Sequence, residues 1–139
     1  MQLSPRRLRL EGKVAIVTGA GSSGPGFGTG KASSMLFASE GARVLLVDQD
    51  AGRAEETLSV IKEEGGVASV FQADVSEAED CKAMAEAAVE RYGALHILVN
   101  NVGIRSPGTP TDVEEDVWER VLDVNPKSMV FTRNMPFQK

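Results

Sequence analysis

Residues 18 to 32 read TGAGSSGPGFGTGKA, directly after the short apolar run KVAIVT at Lys13 to Thr18 and directly before a helical pattern. Six glycines in fifteen residues at a strand-to-helix junction leave few folds open. Glycine lets the backbone come close to a bound group, and the free N–H groups at the start of the next helix favour a phosphate. Gly19, Gly21 and Gly24 match GxGxxG literally, yet Pro25 and Gly26 follow and the helical pattern starts only near Gly28. A later register is therefore expected. A lysine-type phosphate loop is excluded, because alanine follows Lys31 and position 25 is proline.

Downstream, strand and helix signals alternate. Arg43 to Asp48 and Val67 to Phe71 read as strands, and Leu95 to Asn100 as a fourth. Lys31 to Glu40, Ala51 to Glu64 and Glu77 to Tyr92 read as helices, the first two stopped by Gly41 and by Gly65-Gly66. On the third, Cys81, Met84, Ala85, Ala88, Val89 and Tyr92 form one face, and Ser76 is the expected cap. After a polar loop through Pro110, Thr111 and Glu114 resemble a capping box, opening a helix whose apolar face is Val113, Val117, Trp118 and Val121. Unbroken apolar strands between helices imply an α/β fold, a Rossmann-type doubly wound parallel sheet. About four strands are present, so the sheet is expected to be incomplete. Residues 1–12 read as a solvated N-terminal extension and 13–139 as a partial nucleotide-binding domain.

Composition narrows the partners. Of 139 residues, 42% are hydrophobic and 25% charged, ordinary globular usage that disfavours disorder. A net charge of -5 argues against nucleic acid and anionic membranes, which need a positive field. One cysteine and one histidine make neither a disulfide nor a zinc set. No apolar stretch is long enough for a membrane span, and no apolar segment follows Arg6, Arg7 and Arg9 as a signal peptide requires. A cytoplasmic location is the expectation.

Asp48 ends the second strand, 18 positions after Gly30. A carboxylate there can accept hydrogen bonds from the adenosine ribose of NAD and repel the 2′-phosphate of NADP. NAD is thus the expected cofactor.

With these residues in place, the chain resembles the short-chain dehydrogenases/reductases from Leu10-Glu11-Gly12-Lys13 to about Asn125. Thr18-Gly19 and Gly28-Thr29-Gly30-Lys31-Ala32 look like the two ends of the family's TGxxxGxG loop. Eight residues separate Gly19 from Gly28 where the family usually has three, so five are inserted, Ser22 among them. Asp74-Val75 is similar to the family's Asp-Val pair that holds the adenine. Asn100-Asn101-Val102-Gly103 looks like its NNAG motif, which ties the central strand and lines the cofactor cleft. Asn125 falls where the family has the asparagine of a proton relay. The resemblance implies cofactor contacts from Gly19, Ser22, Gly28, Thr29, Gly30, Asp48, Asp74, Val75, Asn101 and Gly103. It also implies hydride transfer between an alcohol or ketone and a nicotinamide cofactor. One departure is Pro126, which disfavours helical geometry at Asn125.

The family's base is a Tyr-x-x-x-Lys pair with a preceding serine. Here the only tyrosine is Tyr92, with His96 four residues on. Tyr92 and Cys81 share the apolar stripe of their helix and read as core; His96 lies in a strand and reads as a satisfied core histidine. Arg105 reads as a solvated loop charge. The chain is therefore expected to be a cofactor-binding half, inactive alone, with a hydrophobic fourth strand as a sheet edge that favours self-association. The alternative is a non-enzymatic nucleotide-binding or interaction protein, a shortened product of the same family. A flavodoxin-like or lysine-loop domain does not account for Asp48, Asp74-Val75 and Asn100-Asn101 together.

Overall fold

The computed structural model describes residues 7–24, 26–106 and 108–133. Its elements run β1 (Val14–Thr18), α1 (Thr29–Ser39), β2 (Arg43–Asp48), α2 (Ala51–Glu63), β3 (Val67–Gln72), α3 (Ala78–Tyr92), β4 (Ile97–Val99), α4 (Glu115–Leu122), a π-helical turn (Asp123–Lys127) and α5 (Ser128–Arg133). The four strands form one sheet in the order β3-β2-β1-β4, every pair parallel. The register pairs Ile16 with Leu45 on one side and with Leu98 on the other.

Strand alternation divides the core into two layers. Val14, Ile16, Leu45 and Val47 face Cys81, Met84, Ala85 and Ala88 of α3. Val17, Val44 and Leu46 face Met35 and Ala38 of α1 and Ala54, Leu58 and Ile61 of α2. β1 is fully buried, as a central parallel strand covered on both sides must be. The doubly wound parallel sheet expected from the sequence is the observed fold. The chain turns back across the sheet between β1 and β4, and that crevice at the carboxyl ends of the strands is where such sheets bind ligands.

Several local expectations are corrected. Ser76 does not cap α3: Glu77 holds the cap position without a side-chain bond, while Ser76 donates its N–H and hydroxyl to Asp74 Oδ1 at 3.0 and 2.6 Å. The short Asp74–Ser76 turn satisfies that hydroxyl before the helix can. Thr111 and Glu114 do not form a capping box; Glu114 is the cap residue, and Thr111 bonds with Thr109 and Asp112. Nor is the apolar face of α4 buried, with Trp118 55% exposed. Val117 and Val121 on that face are half-buried while Trp118 lies open, so the amphipathic pattern is only partly packed. Pro126 does not pull Asn125 out of the helix, because the chain widens into the π turn there. Proline has no N–H to donate and its ring crowds the carbonyl four residues back; a wider turn accommodates both.

The residues before β1 are exposed but tied down. The Arg9 guanidinium meets Glu40 Oε1 at 2.9 Å, its N–H meets Oε2 at 3.1 Å, and the Leu10 N–H reaches the Glu40 carbonyl at 2.9 Å. The described part of this segment is solvent-exposed apart from the half-buried Leu10, and from Arg9 onward it is anchored by a carboxylate at the C-terminal end of α1. Those hydrogen bonds hold the Glu40 carboxyl below its ordinary pKa.

Candidate functional site

A cleft of about 820 Å³ opens at the carboxyl ends of β1, β2 and β3, within the usual range for small-ligand sites. Its floor is the glycine loop. Gly19 sits at φ +63, and a Cβ on Gly30 would lie only 1.8 Å from the Gly19 carbonyl oxygen. The loop's two ends touch, and no other residue fits at position 30. A Cβ on Gly24 or Gly26 would face open space, whereas Gly19 and Gly30 meet at the start of α1. Gly28 is the cap residue of α1, and the first bond of that helix runs from Ala32 to Gly28. The N–H groups of Thr29, Gly30 and Lys31 precede that bond and gather positive potential at the helix start. A helix start of this kind favours an anionic group.

The cleft wall beyond the loop is acidic. Asp48 ends β2, accepting the Gly21 N–H on Oδ2 and the Asp50 N–H on Oδ1, both at 2.9 Å. These two bonds fix the carboxylate's orientation and brace the loop against β2. Asp50 in turn caps α2 by accepting the Arg53 N–H at 3.3 Å, and it pairs with the Arg53 guanidinium at 3.4 Å. Gly21 leaves room for Arg53, whose Cβ would stand 2.4 Å from a Cβ placed there. Asp74 and Val75 line the far end, where Asp80 Oδ2 accepts the Asp74 N–H at 2.8 Å.

The asparagine pair ties three elements together. Asn101 Nδ2 donates to the Gly19 carbonyl at 3.1 Å, its Oδ1 accepts the Thr29 hydroxyl at 2.6 Å, and its N–H donates to Thr18 Oγ1 at 3.1 Å. Asn100 Oδ1 accepts the Thr132 hydroxyl of α5 at 2.8 Å. Gly103 lies on the cleft wall with Asn101. Ser22 lines the cleft too, although its hydroxyl already accepts the Gly28 N–H at 2.9 Å. All ten residues expected to contact the cofactor thus line one cleft.

Asn125 does not line it. Its side-chain amide forms a reciprocal pair with the Ile104 backbone, Nδ2 to the carbonyl at 2.9 Å and Oδ1 from the N–H at 2.8 Å. It holds the loop after β4 in place. Tyr92 packs against the α3 core and hydrogen-bonds Ser69 at 2.7 Å, away from the cleft. Cys81 is buried, and desolvation, then the Asp80 and Asp74 charges, push its thiol up to about 11. His96 Nδ1 accepts the Val14 N–H at 2.9 Å, which places the ring proton on Nε2.

Sequence reasoning missed the supporting residues Asp50, Asp80 and Thr57. Thr57 is a buried hydroxyl that donates to the Ala20 carbonyl at 2.8 Å. A polar residue on the inner face of a helix was the available signal.

The model of the short chain dehydrogenase family matches residues 13–138. Cyclohexanol dehydrogenase of Acinetobacter sp. strain SE19 is 36% identical over 125 residues, 89% of this chain and 48% of that relative. Glucose 1-dehydrogenase 2 of Bacillus subtilis strain 168 is 39% identical over 118 residues, 84% of this chain and 44% of that relative. Among solved structures, a short-chain dehydrogenase/reductase from Burkholderia xenovorans superposes with a TM-score of 0.88 at 39% identity, covering 91% of this chain and 50% of that one. The chain spans about half the length of the relatives it matches. The family uses nicotinamide cofactors, NAD or NADP. Loop, acidic strand end and asparagine pair line one cleft, and the chain belongs to the short-chain dehydrogenase/reductase family of oxidoreductases.

Proposed function

We propose that this chain is the cofactor-binding half of an NAD-dependent oxidoreductase that moves hydride between a small alcohol or ketone and the nicotinamide ring. The observation that carries the reading is the Asp48 carboxylate, held at the cleft wall by the Gly21 and Asp50 N–H groups. Its negative charge suits two ribose hydroxyls and disfavours a phosphate ester on the same sugar. The Gly28–Lys31 helix start binds the pyrophosphate, and Asp74 and Val75 border the adenine. Asp74 Oδ1 is taken by Ser76, which leaves Oδ2 for a ligand donor. A nicotinamide cofactor, when bound, supplies the hydride donor or acceptor.

These residues bind and orient; they do not move the substrate proton. Among the described residues the one tyrosine is engaged with Ser69, and Asn125 is engaged with Ile104. The same observation favours a second reading, a nucleotide-binding product without catalysis. Titrating the purified chain with NADH and NADPH by fluorescence tests the binding claim: NADH should bind the more tightly. An activity screen on simple alcohols and ketones then separates the readings, since turnover by the chain alone would refute its role as a half-site.

A further inference from the structure

The enlarged glycine loop raises a physical problem. Closing eight residues between Gly19 and Gly28 costs more conformational entropy than closing the three that the family usually has. A phosphate cradle nonetheless needs its two ends in fixed contact. We infer that Thr29 is a positioning residue that solves this problem: its hydroxyl and the Asn101 amide form a latch pinning both ends of the loop to one side chain. The inference rests on the dinucleotide reading of the cleft.

The hydrogen-bond directions are determined by chemistry. The Gly19 carbonyl can only accept, so the Asn101 group 3.1 Å from it is the Nδ2 donor. Oδ1 must then face Thr29, and the Thr29 hydroxyl must donate, at 2.6 Å. Asn101 is itself anchored by its N–H to Thr18 Oγ1, whose hydroxyl donates to the Val99 carbonyl at 3.0 Å. A chain of bonds thus runs from β4 through β1 to the first residue of α1. Inside the latch, Ser22 Oγ accepts the Gly28 N–H at 2.9 Å and closes the inserted stretch at its neck. Beyond that neck, a Cβ placed on Gly24 or Gly26 would meet nothing within 4 Å. The latch and this neck bond hold Gly19, Ser22, Gly28 and Thr29 together whatever the length of chain between them.

The test uses the full chain and three variants. Thr29→Val keeps the shape and removes the donor; Thr29→Ser restores it; Asn101→Asp removes the bond to Gly19 while keeping an acceptor for Thr29. Hydrogen exchange of the loop amides is measured without ligand, NADH affinity by fluorescence titration, and folding by circular dichroism. Thr29→Val and Asn101→Asp should each exchange about tenfold faster in the loop, and Thr29→Val should bind NADH about tenfold more weakly. Thr29→Ser should return both quantities close to the original, which a role in mere space filling does not require. The latch is overturned if loop exchange in Thr29→Val and Asn101→Asp matches the parent, or if Thr29→Ser behaves like Thr29→Val. Failure of every protein, parent included, to bind NADH would overturn the dinucleotide reading instead, while exchange still decides the latch.

Discussion

At Asp48 each carboxylate oxygen accepts a backbone N–H, from Gly21 and from Asp50, and each keeps a lone pair for a ribose hydroxyl. Replacing it therefore loosens the glycine loop for any dinucleotide as well as removing the ribose contact. Asp48→Ala should lower the ratio of NAD to NADP affinity about tenfold or more, measured by calorimetry with both cofactors. An unchanged ratio would remove Asp48 from the discrimination. Gly30 is constrained more severely, since any Cβ meets the Gly19 carbonyl. Gly30→Ala should abolish NADH binding and lower stability by about 1–3 kcal/mol in a denaturant melt. Cys81, buried with its thiol raised to about 11, should resist alkylation at neutral pH until the chain is unfolded.

Elements are joined here by single side chains as much as by packing. β4 is short, and its pairing with β1 is extended by His96, through its N–H to the Val14 carbonyl at 3.0 Å and its Nδ1 from the Val14 N–H. Val14 is fully buried, so His96→Ala leaves an N–H without a partner. The expected cost is about 1–3 kcal/mol, and His96→Asn, which keeps an acceptor, should recover part of it in the same melt. At the same end of the sheet, Glu40 ties the segment before β1 to α1. Its folded pKa lies below the ordinary carboxylate value, so its contribution is present above that value and fades as pH falls through the lowered one. Glu40→Gln should be less stable than the parent at neutral pH, with the difference closing in acid. A pH series of thermal melts shows whether it does.

At the scale of the whole molecule, one side is left open among the described residues. No strand pairs on the far side of β4 among the described residues, and Trp118, Leu122, Met129 and Val130 are each more than two-fifths exposed along α4 and α5. An open parallel edge beside apolar helix faces favours association. Trp118 is the only tryptophan, so its emission reports on that surface. Raising the protein concentration should shift the emission to the blue, and Leu122→Glu should abolish the shift. A monomer with unchanged emission at all concentrations would count against association.

Much of this was legible in the chain itself. Alternating apolar strands and glycine-stopped helices specify the doubly wound sheet, because each pattern has its own period and only one layering buries them all. The spacing of Gly19, Gly28, Gly30, Asp48, Asp74 and Asn101 specifies which residues share a cleft, because they follow consecutive strand ends. Helix caps and the fate of Pro126 were decided by competing short-range geometry, Ser76 with Asp74, Thr111 with Thr109 and Asp112, and the π turn at Pro126, between which residue preferences alone do not choose. The supports inside the cleft depend instead on distant partners. Only the folded chain sets Asn101 between Gly19 and Thr29, Asp48 beneath Gly21, and Asn125 against Ile104. Residue types can announce a binding loop; which hydrogen bonds hold it still is decided by tertiary geometry, because those partners are tens of residues apart and meet only when the sheet has formed.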